Sequence, residues 1–83
     1  MRRGQTVALI KRFDERYMER NSIHDGIEAR YSIFERDGRS FLQIDTYGRA
    51  SREMPEKKSQ SIQLDRDSGL ELLKILKRAF HVD

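Results

Sequence analysis

The stretch IEARYSIFERDGRSFLQIDTY, residues 27–47, decides the fold. Its first ten residues alternate. Ile27, Ala29, Tyr31 and Ile33 point one way and Glu28, Arg30, Ser32 and Phe34 the other, which is the period of a half-buried strand over 27–36. Asp37-Gly38 follows. Both residues tolerate positive φ, as a two-residue hairpin turn requires at its centre. The return strand, Ser40 to Tyr47, carries Leu42, Ile44 and Thr46 on one face and Phe41, Gln43, Asp45 and Tyr47 on the other.

Downstream, residues 48–58 form a polar loop with the only proline, Pro55. A third strand is predicted from Ser59 to Leu64, with Ile62 and Leu64 inward and Ser61 and Gln63 outward. Asp65-Arg-Asp-Ser-Gly then opens a helix. Ser68 with Glu71 matches a capping box, and Asp65 is the rival cap. Leu70, Leu72, Leu73, Ile75, Leu76, Ala79 and Phe80 spread apolar surface around more of this helix than one small sheet covers. Upstream, Ile10, Phe13 and Tyr17 sit at i, i+3 and i+7, which predicts a helix over 5–20 capped by Thr6, in competition with a strand from Thr6 to Phe13. Residues 21–26 are turn formers.

The reading is one α+β domain over 1–83: a helical extension over 1–26, then a core over 27–83. That core is a curved antiparallel sheet of three to four strands with a C-terminal helix. Open sheet edges and the surplus apolar helix surface point to a homodimer, with Leu72, Ile75, Leu76 and Ala79 at its interface.

Composition narrows the function. The 83 residues allow no second domain. Without cysteine there is no disulfide framework, thiolate metal site or thiol nucleophile. The longest apolar run, Val7 to Ile10, is far short of a membrane span, and the expected location is the cytoplasm. His24 and His81 have no metal-ligand neighbours at useful spacing, no Gly-x-Ser-x-Gly elbow or phosphate loop is present, and no enzyme activity, cofactor, metal or small-molecule substrate is expected. Asp45, a carboxylate inside a strand, is read as a partner for a neighbouring arginine or for backbone amides.

The net charge of +3 and a pI near 9.5 suit an anionic partner. Phe34, Phe41 and Tyr47 share the polar side of the hairpin, with Arg30, Arg36, Arg39, Arg49, Arg52, Lys57 and Lys58 around them. Rings that stack bases beside cations that follow phosphates are what a single strand of nucleic acid needs. The competing reading makes the same rings core residues, covered by the first helix or by a second subunit.

The strand Phe41-Leu42-Gln43-Ile44-Asp45-Thr46-Tyr47, the segment Pro55-Glu56-Lys57-Lys58-Ser59-Gln60-Ser61-Ile62-Gln63-Leu64 and the acid-start helix together resemble the core of the positive cofactor four family, over about residues 28–80. Its members are single-stranded-DNA-binding transcriptional coactivators. The resemblance implies helix-paired protomers whose sheets cradle single strands, Tyr47 as a stacking aromatic, Arg49 and Arg52 in the loop, and Lys57 and Lys58 as the pair that grips backbone. Glu56 and Ser59-Gln60 depart from the family's loop glycines. The function expected is single-stranded nucleic-acid binding, most simply DNA, with little sequence preference, through Tyr47, Arg49, Arg52, Lys57, Lys58, Phe34, Phe41 and Arg39. A protein-interaction module that binds a host factor is the alternative.

Overall fold

The structure is a computed structural model that describes residues 6–47 and 58–83, with Lys58 and Ser59 described by backbone alone. Four strands, β1 (Thr6–Ile10), β2 (Ala29–Arg36), β3 (Arg39–Tyr47) and β4 (Lys58–Leu64), precede one helix, α1 (Arg66–Phe80). The sheet order is β1-β4-β3-β2. The β2–β3 and β3–β4 pairs are antiparallel, and β1 runs parallel to β4, so the sheet is mixed.

The hairpin forms as its sequence dictates. Asp37 and Gly38 take φ of 56° and 74°, and Arg36 stands opposite Arg39. The register then fixes the faces. Phe34 pairs with Phe41, Ser32 with Gln43 and Arg30 with Asp45 on one side, while Ile33 pairs with Leu42 and Tyr31 with Ile44 on the other. Ile62 and Leu64 of β4 join Ile44 and Leu42, and Ser61 and Gln63 join Asp45 and Gln43.

The N-terminal helix expected over 5–20 is not formed within the described residues. Thr6–Ile10 is a strand, and residues 11–28 are irregular. The competing strand reading was nearer the outcome, although the strand stops at Ile10. The free edge of β4 explains this. It offers unpaired backbone groups to a β-branched pentapeptide, and pairing sets Ala8 and Ile10 beside Ile62 and Leu64. Tyr17, the third member of the supposed helical stripe, is 86% exposed, so no core contact rewards a helix there. Phe13 is half-buried, and its N–H donates to Glu71 Oε1 at 3.3 Å, which ties the irregular segment to α1.

The helix packs over the Leu42–Leu64 side of the sheet and leaves an open cleft of about 950 Å³ lined by Ile33, Leu42, Leu64, Leu72, Leu73 and Leu76. Leu64 is buried, whereas Leu73, Leu76 and Phe80 remain exposed. Asp65 is the N-cap, and its reciprocal partner is Ser68 rather than Glu71. Ser68 N–H donates to Asp65 Oδ1 at 2.9 Å, and Asp65 N–H donates to Ser68 Oγ at 3.1 Å. Glu71 is instead engaged by Phe13. Asp67 in the first turn and Lys77 and Arg78 in the last suit the helix dipole.

The backbone bond from Ser68, then the Ser68 hydroxyl, then the Lys11 ammonium 3.5 Å away hold the Asp65 carboxyl below the ordinary aspartate value. A carboxylate that is more acidic folded than unfolded contributes stability above its unfolded pKa, about 3.9. That contribution is lost as pH falls through the lower native value. Asp65→Asn keeps the cap acceptor but removes the charge, so its melting temperature is expected below wild type at pH 7, with the gap narrowing as pH falls below the ordinary aspartate range. A deficit that does not narrow at all as the solution is acidified contradicts a stabilising role for the Asp65 charge.

Candidate nucleic-acid interface

The sheet face turned away from α1 carries a polar row between aromatic groups. Gln63 Nε2 donates to Gln43 Oε1 at 2.9 Å, and Gln43 Nε2 donates to Asp45 Oδ1 at 2.9 Å. Ser61 Oγ donates to the same Asp45 oxygen. The register makes this possible, since Gln43 stands opposite Gln63 and Asp45 opposite Ser61. Asp45 is 8% exposed and Ser61 2%, so these groups satisfy one another away from water. Asp45 was expected to partner a neighbouring arginine or backbone amides; the bonds described here come from two side chains, the Ser61 hydroxyl and the Gln43 amide, with Arg30 at the cross-strand position.

At one end of the row, Phe34 and Phe41 stack with ring centroids 5.4 Å apart and planes inclined by 17°. The Arg39 guanidinium lies 5.0 Å from the Phe41 centroid and is also 3.6 Å from Asp65 Oδ2. At the other end, the Arg30 guanidinium lies 5.0 Å from the Tyr47 centroid. All three rings are half-buried. Guanidinium planes stack on bases as well as on side-chain rings, and they carry the charge that meets phosphate. Val7 and Leu9 border the face along β1, opposite Ser61 and Gln63.

Among the eight site residues expected from the sequence, Phe34, Phe41, Tyr47 and Arg39 share this face. Arg49, Arg52 and Lys57 lie outside the described residues, as does the Lys58 side chain. The backbone of Lys58 stands opposite Tyr47, because a bulge between Thr46 and Tyr47 shifts the ladder by one residue. At the expected dimer interface, Leu72 and Leu76 line the cleft against the chain's own sheet, Ile75 is half-buried and Ala79 is exposed. The expected list omitted Arg30, Ser61 and Gln63. Cross-strand pairing would have found Ser61 and Gln63 once β4 was aligned by its apolar residues.

Comparison with protein-family models, with curated proteins and with solved structures returns no match. Among the described residues no helix is long and apolar enough to cross a membrane, and no group of three or more His, Asp or Glu side chains converges on a possible metal position.

Asp45→Ala strips the acceptor from two donors inside this row and is expected to lower unfolding free energy by about 1–3 kcal/mol in urea titrations. Asp45→Asn retains an acceptor oxygen and is expected to cost less. Equal losses for the two variants contradict the row as described.

Proposed function

We propose that the chain binds single-stranded nucleic acid with little sequence preference through the sheet face opposite α1. The observation that carries this reading is the flanking of one hydrogen-bonded polar row by two arginine–ring pairs, Arg39 with Phe41 and Arg30 with Tyr47. Bases stack on rings and guanidinium planes, phosphates meet the cations, and neither contact distinguishes one base strongly from another. The resemblance of residues 28–80 to the positive cofactor four family supports the same reading and favours DNA. It also adds Arg49, Arg52, Lys57 and Lys58 as backbone contacts.

The protein works as a homodimer in the cytoplasm in this account. The exposed apolar side chains Leu70, Leu73, Leu76 and Phe80 of α1 support association, since a small monomer gains nothing from holding them in water. The same helix surface is what a second reading, a module that docks on another protein, would use.

Fluorescence anisotropy with a labelled oligonucleotide at several salt concentrations tests the proposal. Tyr47→Ala is expected to lose about 1–3 kcal/mol of affinity with its melting temperature little changed, and Tyr47→Phe to lose much less. Replacing Lys57 and Lys58 by alanine is expected to flatten the salt dependence by roughly 0.7 in logarithmic slope for each phosphate contact removed. Wild-type protein that leaves oligonucleotides unbound at low salt, yet is captured by a protein partner through α1, moves the assignment to the second reading.

A further inference from the structure

β2 is an edge strand whose one strand neighbour among the described residues is β3. It runs eight residues without proline, and Tyr31 and Ile33 on it are 72% and 71% exposed. A long, regular, apolar edge of this kind is a template for another strand. The two-residue turn at Asp37-Gly38, with both φ positive, makes Arg36 and Arg39 a hydrogen-bonded pair. Antiparallel alternation from that pair directs the backbone groups of even-numbered residues to β3 and turns those of Ala29, Tyr31, Ile33 and Glu35 outward. The bond from Tyr47 N–H to the Glu28 carbonyl at 3.1 Å has the same phase.

We propose that a second copy of the chain pairs along this edge, β2 against β2 antiparallel, about a two-fold axis at Ser32. The inference deepens the homodimer proposed above and rests on it. The strand is self-complementary in this register. Tyr31 meets the partner's Ile33 on the helix side, twice by symmetry, and extends the apolar surface of Ile33, Leu73 and Leu76 across the axis. Glu28 meets the partner's Arg36, Arg30 meets the partner's Phe34, and all four outward-turned residues of each strand find backbone partners. A slip of two residues one way sets Arg30 against the partner's Arg36 and Tyr31 against the partner's Glu35. The opposite slip leaves the outward groups of Glu35 without a strand residue to pair with. A slip of one mixes the two faces. The chosen register joins two sheets into one and lays both aromatic faces side by side, so each half of the nucleic-acid surface borders an arginine of the other copy.

Site-directed crosslinking of the full chain tests the register. Ser32 and the partner's Ser32 form a non-hydrogen-bonded pair with Cα atoms about 4.5 Å apart, within the span of a disulfide. The chain has no cysteine of its own. Under mild oxidation Ser32→Cys is expected to become a disulfide-linked dimer on non-reducing gels, and Ile33→Cys, which faces the partner's Tyr31, to crosslink about tenfold more slowly. Arg36→Glu sets Glu28 against a like charge and is expected to weaken the dimer about tenfold in sedimentation; adding Glu28→Arg is expected to restore it. Wild-type dimers in which Ser32→Cys crosslinks no faster than Ile33→Cys overturn the pairing and leave the dimer standing. Monomers throughout overturn both. Oligonucleotide binding measured on the same samples reports separately on the nucleic-acid reading.

Discussion

Because β3 is hydrogen-bonded on both edges, the alternation along it dictates which chemistry each face of the sheet receives. Leu42 and Ile44 face one way and align Ile33, Tyr31, Ile62 and Leu64 with themselves. Phe41, Gln43, Asp45 and Tyr47 face the other and gather Phe34, Arg30, Ser61 and Gln63. A shift of one residue in any pairing would place glutamine under the helix and leucine in the polar row. The described residues form one helix, and apolar burial commits it to the leucine side. The polar and aromatic face is therefore left to satisfy itself, which it does through the Ser61–Asp45–Gln43–Gln63 bonds and the arginine–ring pairs. In this way one period-two pattern yields both a core and a surface suited to stacking.

The hairpin and its facing were legible in the sequence because they rest on local rules: alternation and an Asp-Gly turn. The extent of α1 and the outward pair Ser61 and Gln63 were legible for the same reason. Thr6–Ile10 was not. Ile10, Phe13 and Tyr17 fit a helix in isolation, but the partner that makes the segment a strand, the free edge of β4, lies some fifty residues away in the chain. The cap stayed open between Ser68 and Asp65 because two overlapping patterns satisfy the same spacing, and the choice, Asp65, depends on where the strand ends. The polar row was half legible. Gln43 and Asp45 were on the expected face, but their partners required the β3–β4 register. The bulge that brings Lys58 opposite Tyr47 leaves no mark that a reading of one strand can find.

The two faces divide the proposed work. Apolar side chains along β2 and α1 serve association, and rings and arginines on the opposite face serve the ligand. Only Arg30 and Phe34, which meet across the proposed seam, would serve both roles, and pairing along β2 would set the two binding faces side by side. The thinness of the core is part of this arrangement. Leu64 is the only apolar residue fully buried among those described, and the leucines along the cleft await further cover. Association would add to the stability of the protomer.

In the proposed function one face of the sheet receives the strand of nucleic acid and the other does not. NMR titration of the labelled protein with an unstructured oligonucleotide tests it directly. Ring resonances of Phe34, Phe41 and Tyr47 and side-chain amides of Gln43 and Gln63 are expected to shift in a saturable manner, while methyl groups of Leu42, Ile44, Ile62 and Leu64 stay in place. Shifts concentrated on those methyl groups and on α1, with the aromatic face unmoved, would contradict it.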